Sequence, residues 1–341
     1  MDKYVLVTGG AGYIGSHTAV TLLEAGYQIV IIDNLNNSSK EVLGRIGGIT
    51  GRTPPFIQAD LRDTGTILEV FEKYPVTSVM HFAGHKAVGE SVDNPSMYYE
   101  NNIGSTLSLI EAMQAAEIST LIFSSSATVY SSTAVPPFKE ETEKGPINPY
   151  GMTKYLIEQL LTDLAKTHSN WRIGLLRYFN PLGAHPTGRI GETPIGIPNN
   201  LMPYLMQVAS GKLAKLKIFG DNYDTPDGTC IRDYIHVVDL ARGHLAALQF
   251  LNKRTGAHAW NLGTGKGTSV LELVETVEKI IGHPISREIT SRREGDATEA
   301  IADPSKAYAE LSWRAELTID DMCVDHWNWQ QQNPEGYSTT R

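Results

Sequence analysis

The chain has 341 residues, 41% hydrophobic and 20% charged, the balance of a globular protein of about two domains. A formal net charge of −9 argues against a general nucleic-acid or anionic-membrane binder, yet leaves room for an anionic small molecule held by a few local cations. Two distant cysteines, Cys230 and Cys323, argue against a disulfide framework or a CxxC zinc site, and the ten histidines form no HExxH.

In chain order, YVLVT (4–8) reads as a buried strand, followed by a helix to about Ala25 and the strand QIVIID (28–33). SVMHFAG (78–84), a helix around Met97–Ala116, TLIFSSS (120–126), a helix from Tyr150 to about Lys166 and RIGLLRYFN (172–180) follow. Continuously apolar strands alternating with helices predict an α/β fold, a doubly wound parallel sheet covered on both faces. Residues 181–200 are rich in Gly and Pro and read as a long loop, of the kind that often binds ligands. Beyond it come a helix near 201–210, a strand KIF (217–219), a strand running into a helix over 234–250, a strand from 258 and a helix near 269–281. The expected organisation is a nucleotide-binding domain over 1–180, to which a segment of about 234–258 returns, and a smaller lobe over 181–341. No apolar run approaches the roughly 18 residues of a membrane span. The first strand starts close to Met1, so no signal peptide is expected. A soluble cytoplasmic protein is the expectation.

VTGGAGYIGS (7–16) links the first strand to the first helix, with Gly9, Gly12 and Gly15 as GxxGxxG. Glycines here permit a tight turn, close backbone approach to a pyrophosphate and close helix–strand packing, while the helix N-terminus offers free amides. Such loops also occur as plain turns. Here an acid accompanies it: Asp33 ends the second strand, where a carboxylate accepts ribose hydroxyls and repels a 2′-phosphate, favouring NAD over NADP. Asp60 and Leu61 follow a third expected strand.

NPYGMTK (148–154) places Lys154 four residues after Tyr150, on the same helix face. Lowering a phenol from pKa about 10 to near 7 takes roughly 4 kcal/mol, within reach of an ammonium and a positive nicotinamide ring in a dry site. In isolation YxxxK is also a common surface pair. Ser124, Ser125 and Ser126 end the preceding strand, where parallel sheets bind ligands, and the residues alone do not choose among them.

These pieces together resemble the extended short-chain dehydrogenase/reductase superfamily and, within it, the UDP-glucose 4-epimerase family, over nearly the whole chain. The narrowest stretches are HFAGHKAVGES (81–91), SSSATVY (124–130), NPYGMTK, LRYFNPLGAHP (176–186), GIPNNLMPY (196–204), GTCIRDYIHVVDLA (228–241) and RREGD (292–296). The resemblance implies a homodimeric Rossmann-type enzyme with tightly bound NAD, no metal and a UDP-sugar substrate. It makes Tyr150 the catalytic acid and base, Lys154 its modulator and nicotinamide-ribose ligand, and Ser126 the residue bonding the sugar hydroxyl. Gly9, Gly12, Tyr13, Ile14 and Gly15 take the pyrophosphate, Asp33 and Asn34 the adenosine ribose, and Asp60 and Leu61 the adenine. Phe82, Ala83, Gly84 and Lys86 line the cofactor, with Asn101 and Phe179 at its nicotinamide end. Lys86 is shared with the substrate, which Asn180, Asn199, Asn200, Leu201, Lys217, Ile218, Phe219, Arg232, Arg293 and Asp296 also contact. Phe219 suits stacking on uracil and the two arginines suit a diphosphate.

Three positions depart from the family pattern. His85 replaces an apolar residue, Ser131 a common glycine, and Ala300 stands where some members carry a tyrosine beside carbon 2 of the sugar. The small residue leaves room for an N-acetyl group, extending the expected substrates to UDP-N-acetylglucosamine and UDP-N-acetylgalactosamine. The implied reaction is reversible epimerisation of UDP-galactose and UDP-glucose at carbon 4 through a 4-keto sugar, with Tyr150 exchanging the proton and NAD the hydride. The main rivals, nucleotide-sugar 4,6-dehydratases, need an Asp-Glu pair where Ala127 and Thr128 stand. UDP-glucuronate epimerases and decarboxylases call for a carboxylate-binding arginine in the sugar site. A nucleotide-sensing module has no use for a complete Ser–Tyr–Lys set, and a hydrolase would show a GxSxG elbow.

Overall fold

Apolar runs covered on both faces build the central sheet, with the strands β1 (Tyr4–Thr8), β2 (Gln28–Asp33), β3 (Phe56–Gln58), β4 (Val76–His81), β5 (Thr120–Ser126) and β6 (Arg172–Tyr178). The computed structural model describes residues 3–198, 200–293 and 296–337. After β7 (Asn180–Leu182), β8 (Leu216–Phe219) and β9 (Ile231–His236), the chain returns as β10 (Gly256–Leu262). The seven-stranded order is β3-β2-β1-β4-β5-β6-β10, every neighbouring pair parallel. The direction of winding reverses between β1 and β4, which opens a crevice at the strand C-terminal ends.

The helices Tyr13–Glu24 and Val237–Leu251 cover one face over Val7, Ile31, Leu248 and Trp260. Gly104–Ala115 and Pro149–Thr167 cover the other, over Leu6, Phe123, Leu109 and Leu161. The remaining strands form a smaller lobe. In it β9 pairs in parallel with β7 and β13 (Glu299–Ala300) and antiparallel with β11 (Gly267–Ser269). Beside this sheet, β8 pairs with β12 (Arg287–Thr290). Three helices, Leu201–Ala209, Val270–Ile281 and Ile319–Gln332, close its core around Met206, Leu273 and Met322.

Three boundaries differ from the sequence expectation. The segment rejoining the first sheet is Val237–Leu262 rather than about 234–258, because β9 hydrogen-bonds within the smaller sheet and the chain crosses back as a helix. The helix expected around Met97–Ala116 is interrupted: Pro95–Tyr98 leads into a π turn, Tyr99–Ile103, before the helix Gly104–Ala115. Such a turn is a frequent device at functional sites, and this one carries Asn101. The long loop of 181–200 begins with β7 and is otherwise irregular, although Ala184 and Ile190 are buried in the main core.

Candidate active site

Gly9 sits at φ +68, and a Cβ there would lie 2.7 Å from the Ala83 nitrogen; at Gly15 it would lie 2.3 Å from the Gly9 carbonyl. Only glycine fits this loop against the next helix turn and the neighbouring β4 loop. The helix Tyr13–Glu24 opens with no side-chain cap at Gly12, so its first amides are left for an anion. Asp33 is buried at the tip of β2. Its Oδ2 accepts from the Ala11 amide at 3.0 Å, and its Oδ1 from the Leu35 amide and the Ser38 hydroxyl, both at 2.9 Å. The carboxylate therefore braces the glycine loop as well as facing the cleft.

The Tyr150 helix begins where it does because Asn148 caps the Gly151 amide at 2.8 Å and Pro149 takes the first helical position. One turn on, Lys154 is buried, donates to the Ser124 carbonyl at 2.6 Å and lies 5.8 Å from the Tyr150 ring centre. Burial lowers the ammonium to about 7, against a raising influence from Glu158. Burial pushes the Tyr150 phenol up to about 12, and the Ser126 hydroxyl beside it pulls the other way. The protein's own groups thus keep Tyr150 protonated, and the lysine does not ionise it unaided. The three serines are chemically distinct. Ser124 offers its carbonyl to Lys154, Ser125 gives its hydroxyl to Glu158 at 2.5 Å, and Ser126 accepts from the Thr128 amide and hydroxyl at 3.2 and 3.0 Å.

Glycine loop, Asp33, Ser126, Tyr150 and Lys154 all line one cavity of about 590 Å³ running along the crevice into the smaller lobe. The family model described as "NAD dependent epimerase/dehydratase family" matches residues 5–263. The chain belongs to the NAD dependent epimerase/dehydratase family. It is 53% identical to a UDP-glucose 4-epimerase of Bacillus subtilis (strain 168) over 335 residues, covering 98% of this chain and 99% of that one. It is 51% identical to the human UDP-glucose 4-epimerase over 346 residues, with 99% of each covered. A solved structure of UDP-glucose 4-epimerase from Bifidobacterium longum, in complex with NAD+ and UDP, superposes with a TM-score of 0.95 at 50% identity, covering 98% of this chain and 99% of that one.

Against that family background the other expected residues fall into two groups. Gly12, Tyr13, Ile14, Asn34, Asp60, Leu61, Phe82, Ala83, Gly84, Lys86, Asn101 and Phe179 line the cavity, and so do Asn180, Asn200, Arg232, Asp296 and Ala300. Asp60 is held by Arg62, whose Nη2 lies 2.8 Å from Oδ2, and this bond keeps the carboxyl below its usual range. Leu201, Lys217, Ile218, Phe219 and Arg293 are not part of the cavity wall. Leu201 starts its helix half-buried against the smaller core, and Ile218 is 2% exposed in that core, because β8 alternates and turns Ile218 inward and Lys217 outward. Phe219 is covered by the Arg293 guanidinium, 4.3 Å from its ring centre. Arg293 and Arg232 both reach Asp296, at 3.3 and 3.8 Å, so the two arginines converge on a carboxylate. Asn199 lies outside the described residues. His85 joins the wall, its backbone held by Asn102 through bonds of 2.8 and 3.0 Å.

Glu192 was not anticipated. It lines the cavity, takes the Lys86 ammonium at 2.9 Å and the Asn200 amide at 3.0 Å on one oxygen, and its backbone carbonyl accepts from the Trp329 indole at 3.2 Å. A lone acid in a Gly- and Pro-rich loop carries no periodicity, so only its place in the fold reveals it. Among the described residues no group of three or more His, Cys, Asp or Glu could hold a metal ion.

Proposed function

We propose that this protein interconverts UDP-galactose and UDP-glucose by reversible oxidation at carbon 4, with NAD retained in the cleft. Support comes from one arrangement: the Tyr150 phenol and Ser126 hydroxyl meet, with Lys154 one turn below, in the same cavity as a glycine loop too tight for any side chain. That loop, the uncapped helix start and the Asp33 carboxylate suit a dinucleotide without a 2′-phosphate. NAD supplies the reversible acceptance of hydride from carbon 4.

The residues of this chain supply the rest. Tyr150 Oη takes the proton of the carbon-4 hydroxyl and later gives it back. Ser126 bonds the same sugar oxygen and holds it against the phenol. Lys154 keeps the local potential positive, favouring the phenolate once a second positive charge adjoins it. Arg232, Asp296 and Asn200, with Lys86, hold the nucleotide end, while Arg293 and Phe219 form a cation–π pair at its margin. Binding energy spent there retains the 4-keto sugar while it turns over. Residues 1–180 with 237–262 serve as the cofactor-binding domain and the remainder mainly as the sugar-nucleotide lobe.

Ala300 on the cavity wall supports UDP-N-acetylhexosamines as additional substrates. The free cysteines Cys230 and Cys323 agree with a cytoplasmic setting, and no helix among the described residues is long and apolar enough to cross a membrane. Exposed Leu107 and Leu156, on the Gly104–Ala115 and Pro149–Thr167 helices, support a homodimer. The deciding experiment incubates purified protein with UDP-galactose and no added cofactor, separating sugar nucleotides by chromatography. UDP-glucose approaching an equilibrium ratio is expected; unchanged UDP-galactose, with and without added NAD, refutes the reading.

A further inference from the structure

We propose that Glu158, clamped between Arg177 and Ser125, is the positioning residue that seats Lys154 beneath the serine run and keeps it charged. The inference rests on the epimerase reading above and concerns the residues behind the cavity. Tyr150, Lys154 and Glu158 recur every fourth position and share one helix face. That face meets the end of β5 rung by rung: Ser126 beside Tyr150, the Ser124 carbonyl on Lys154 at 2.6 Å, and the Ser125 hydroxyl on Glu158 at 2.5 Å. A change at the lowest rung shifts the register of the two above it.

The clamp is built for a charge. Glu158 and Arg177 side chains are 2% and 5% exposed, and the guanidinium meets the carboxylate with two parallel bonds of 2.9 and 2.6 Å. The remaining Arg177 nitrogen donates to the Tyr130 hydroxyl at 3.0 Å and the Glu140 carbonyl at 2.8 Å, and Tyr130 donates in turn to the Asn261 side-chain oxygen on β10 at 2.6 Å. Buried ion pairs of this kind add little stability over an apolar pair of the same shape, so a specific electrostatic task explains one better. Lys154 is the neighbour that benefits. Tyr150 and Glu158 from its own helix, His81 from β4 and the Phe123 ring of β5, 4.7 Å away, surround it, while from β6 Tyr178 bonds the Ser124 whose carbonyl Lys154 holds and Arg177 pairs with Glu158. His81 is held neutral, lowered to about 3 by burial and by Lys154 itself, and burial raises both tyrosines. Glu158 is therefore the anion near Lys154 among the described residues, and it opposes the burial that strips the ammonium of its proton.

The test uses the holoenzyme and measures kcat and KM for UDP-galactose from about pH 6 to about 9.5 in the wild type, Ser125→Ala, Glu158→Gln and Glu158→Gln/Arg177→Met. Glu158→Gln is expected to move the alkaline limb of kcat down by about one pH unit, so that kcat at high pH falls roughly tenfold while KM stays within about threefold. Ser125→Ala keeps the charge and should lower kcat about threefold without moving the limb. Should Glu158→Gln fail to fold with Arg177 unpaired, the double variant, which buries no lone charge, should move the limb in the same direction by less, because the guanidinium leaves with the carboxylate. An alkaline limb superposable on the wild type in the folded variant overturns the proposal, as does a loss confined to KM or to melting temperature. Absence of turnover in the wild type instead overturns the epimerase reading, and this inference with it.

Discussion

The Lys86 ammonium lies 2.9 Å from Glu192, on the oxygen that also receives the Asn200 amide. One carboxylate thus joins a lysine of the loop after β4 to the asparagine that starts the Leu201–Ala209 helix. Burial works against the ionisation of Glu192, but Lys86 and Asn200 outweigh it and hold the carboxyl below its usual range. Glu192→Ala frees both partners. It should raise KM for UDP-galactose about tenfold, the worth of one charge-assisted bond, with kcat changed less than about threefold. Glu192→Gln, which keeps an acceptor, should fall between. Steady-state kinetics decide; an unchanged KM in the alanine variant refutes the joining role.

Tyr150 presents the clearest chemical prediction. Burial lifts its phenol to about 12 and lowers the Lys154 ammonium to about 7, so desolvation opposes the charged form of both. Removing the phenolic oxygen in Tyr150→Phe should cost about a thousandfold in kcat, the usual scale for a lost acid–base group, while protein-bound NAD measured after denaturation stays at wild-type stoichiometry. A variant within about tenfold of wild type would take Tyr150 out of proton transfer.

Acid should unfold this protein through its buried imidazoles. Burial lowers His17 and His81 to about 3 and His244 and His326 to about 4. The folded pKa values lie below the unfolded one near 6.5, so between about 6.5 and 4 the unfolded chain binds more protons and stability falls with pH. Each such histidine costs about 1.4 kcal/mol per pH unit in that window. Urea unfolding at pH 7.0, 5.5 and 4.5 should show a steep loss of midpoint, largely recovered at pH 5.5 by no single-histidine variant but lessened by each. A midpoint flat from pH 7 to 4.5 refutes this.

The parts of the site written as local spacing were legible in advance. A glycine triplet between a strand and a helix, an acid at the next strand end and a tyrosine four residues before a lysine all express their geometry within one or two turns. What escaped depends on distant partners. Glu192 acquires meaning only when 181–200 folds against Lys86, and Asp33 proves to be a brace because Ala11 and Ser38 donate to it. Spacing reports a cation near Tyr150 but not the depth of burial, and in the protein alone desolvation is the larger influence on the phenol. In the same way the alternation of β8 decides that Ile218 belongs to a core and not to the cavity wall.

Ala300 sets the last prediction. It ends β13 opposite Arg232 on β9 and packs against the cluster of Val129, Phe138 and Phe179 while facing the cavity. Its neighbour is pinned, since the Phe138 amide donates to the Ile301 carbonyl at 2.8 Å and the Asp303 amide to the Phe138 carbonyl at 2.8 Å. The wall cannot retreat, so a larger residue at 300 must project into the cleft. Ala300→Tyr should therefore cut turnover of UDP-N-acetylgalactosamine at least tenfold relative to UDP-galactose, because steric exclusion from a stiff wall discriminates far better than loss of a methyl-sized contact. Turnover of both substrates, compared as kcat/KM ratios in wild type and variant, decides the matter. An unchanged ratio, or a wild type that leaves the acetylated substrate untouched, removes Ala300 from the determinants of sugar choice.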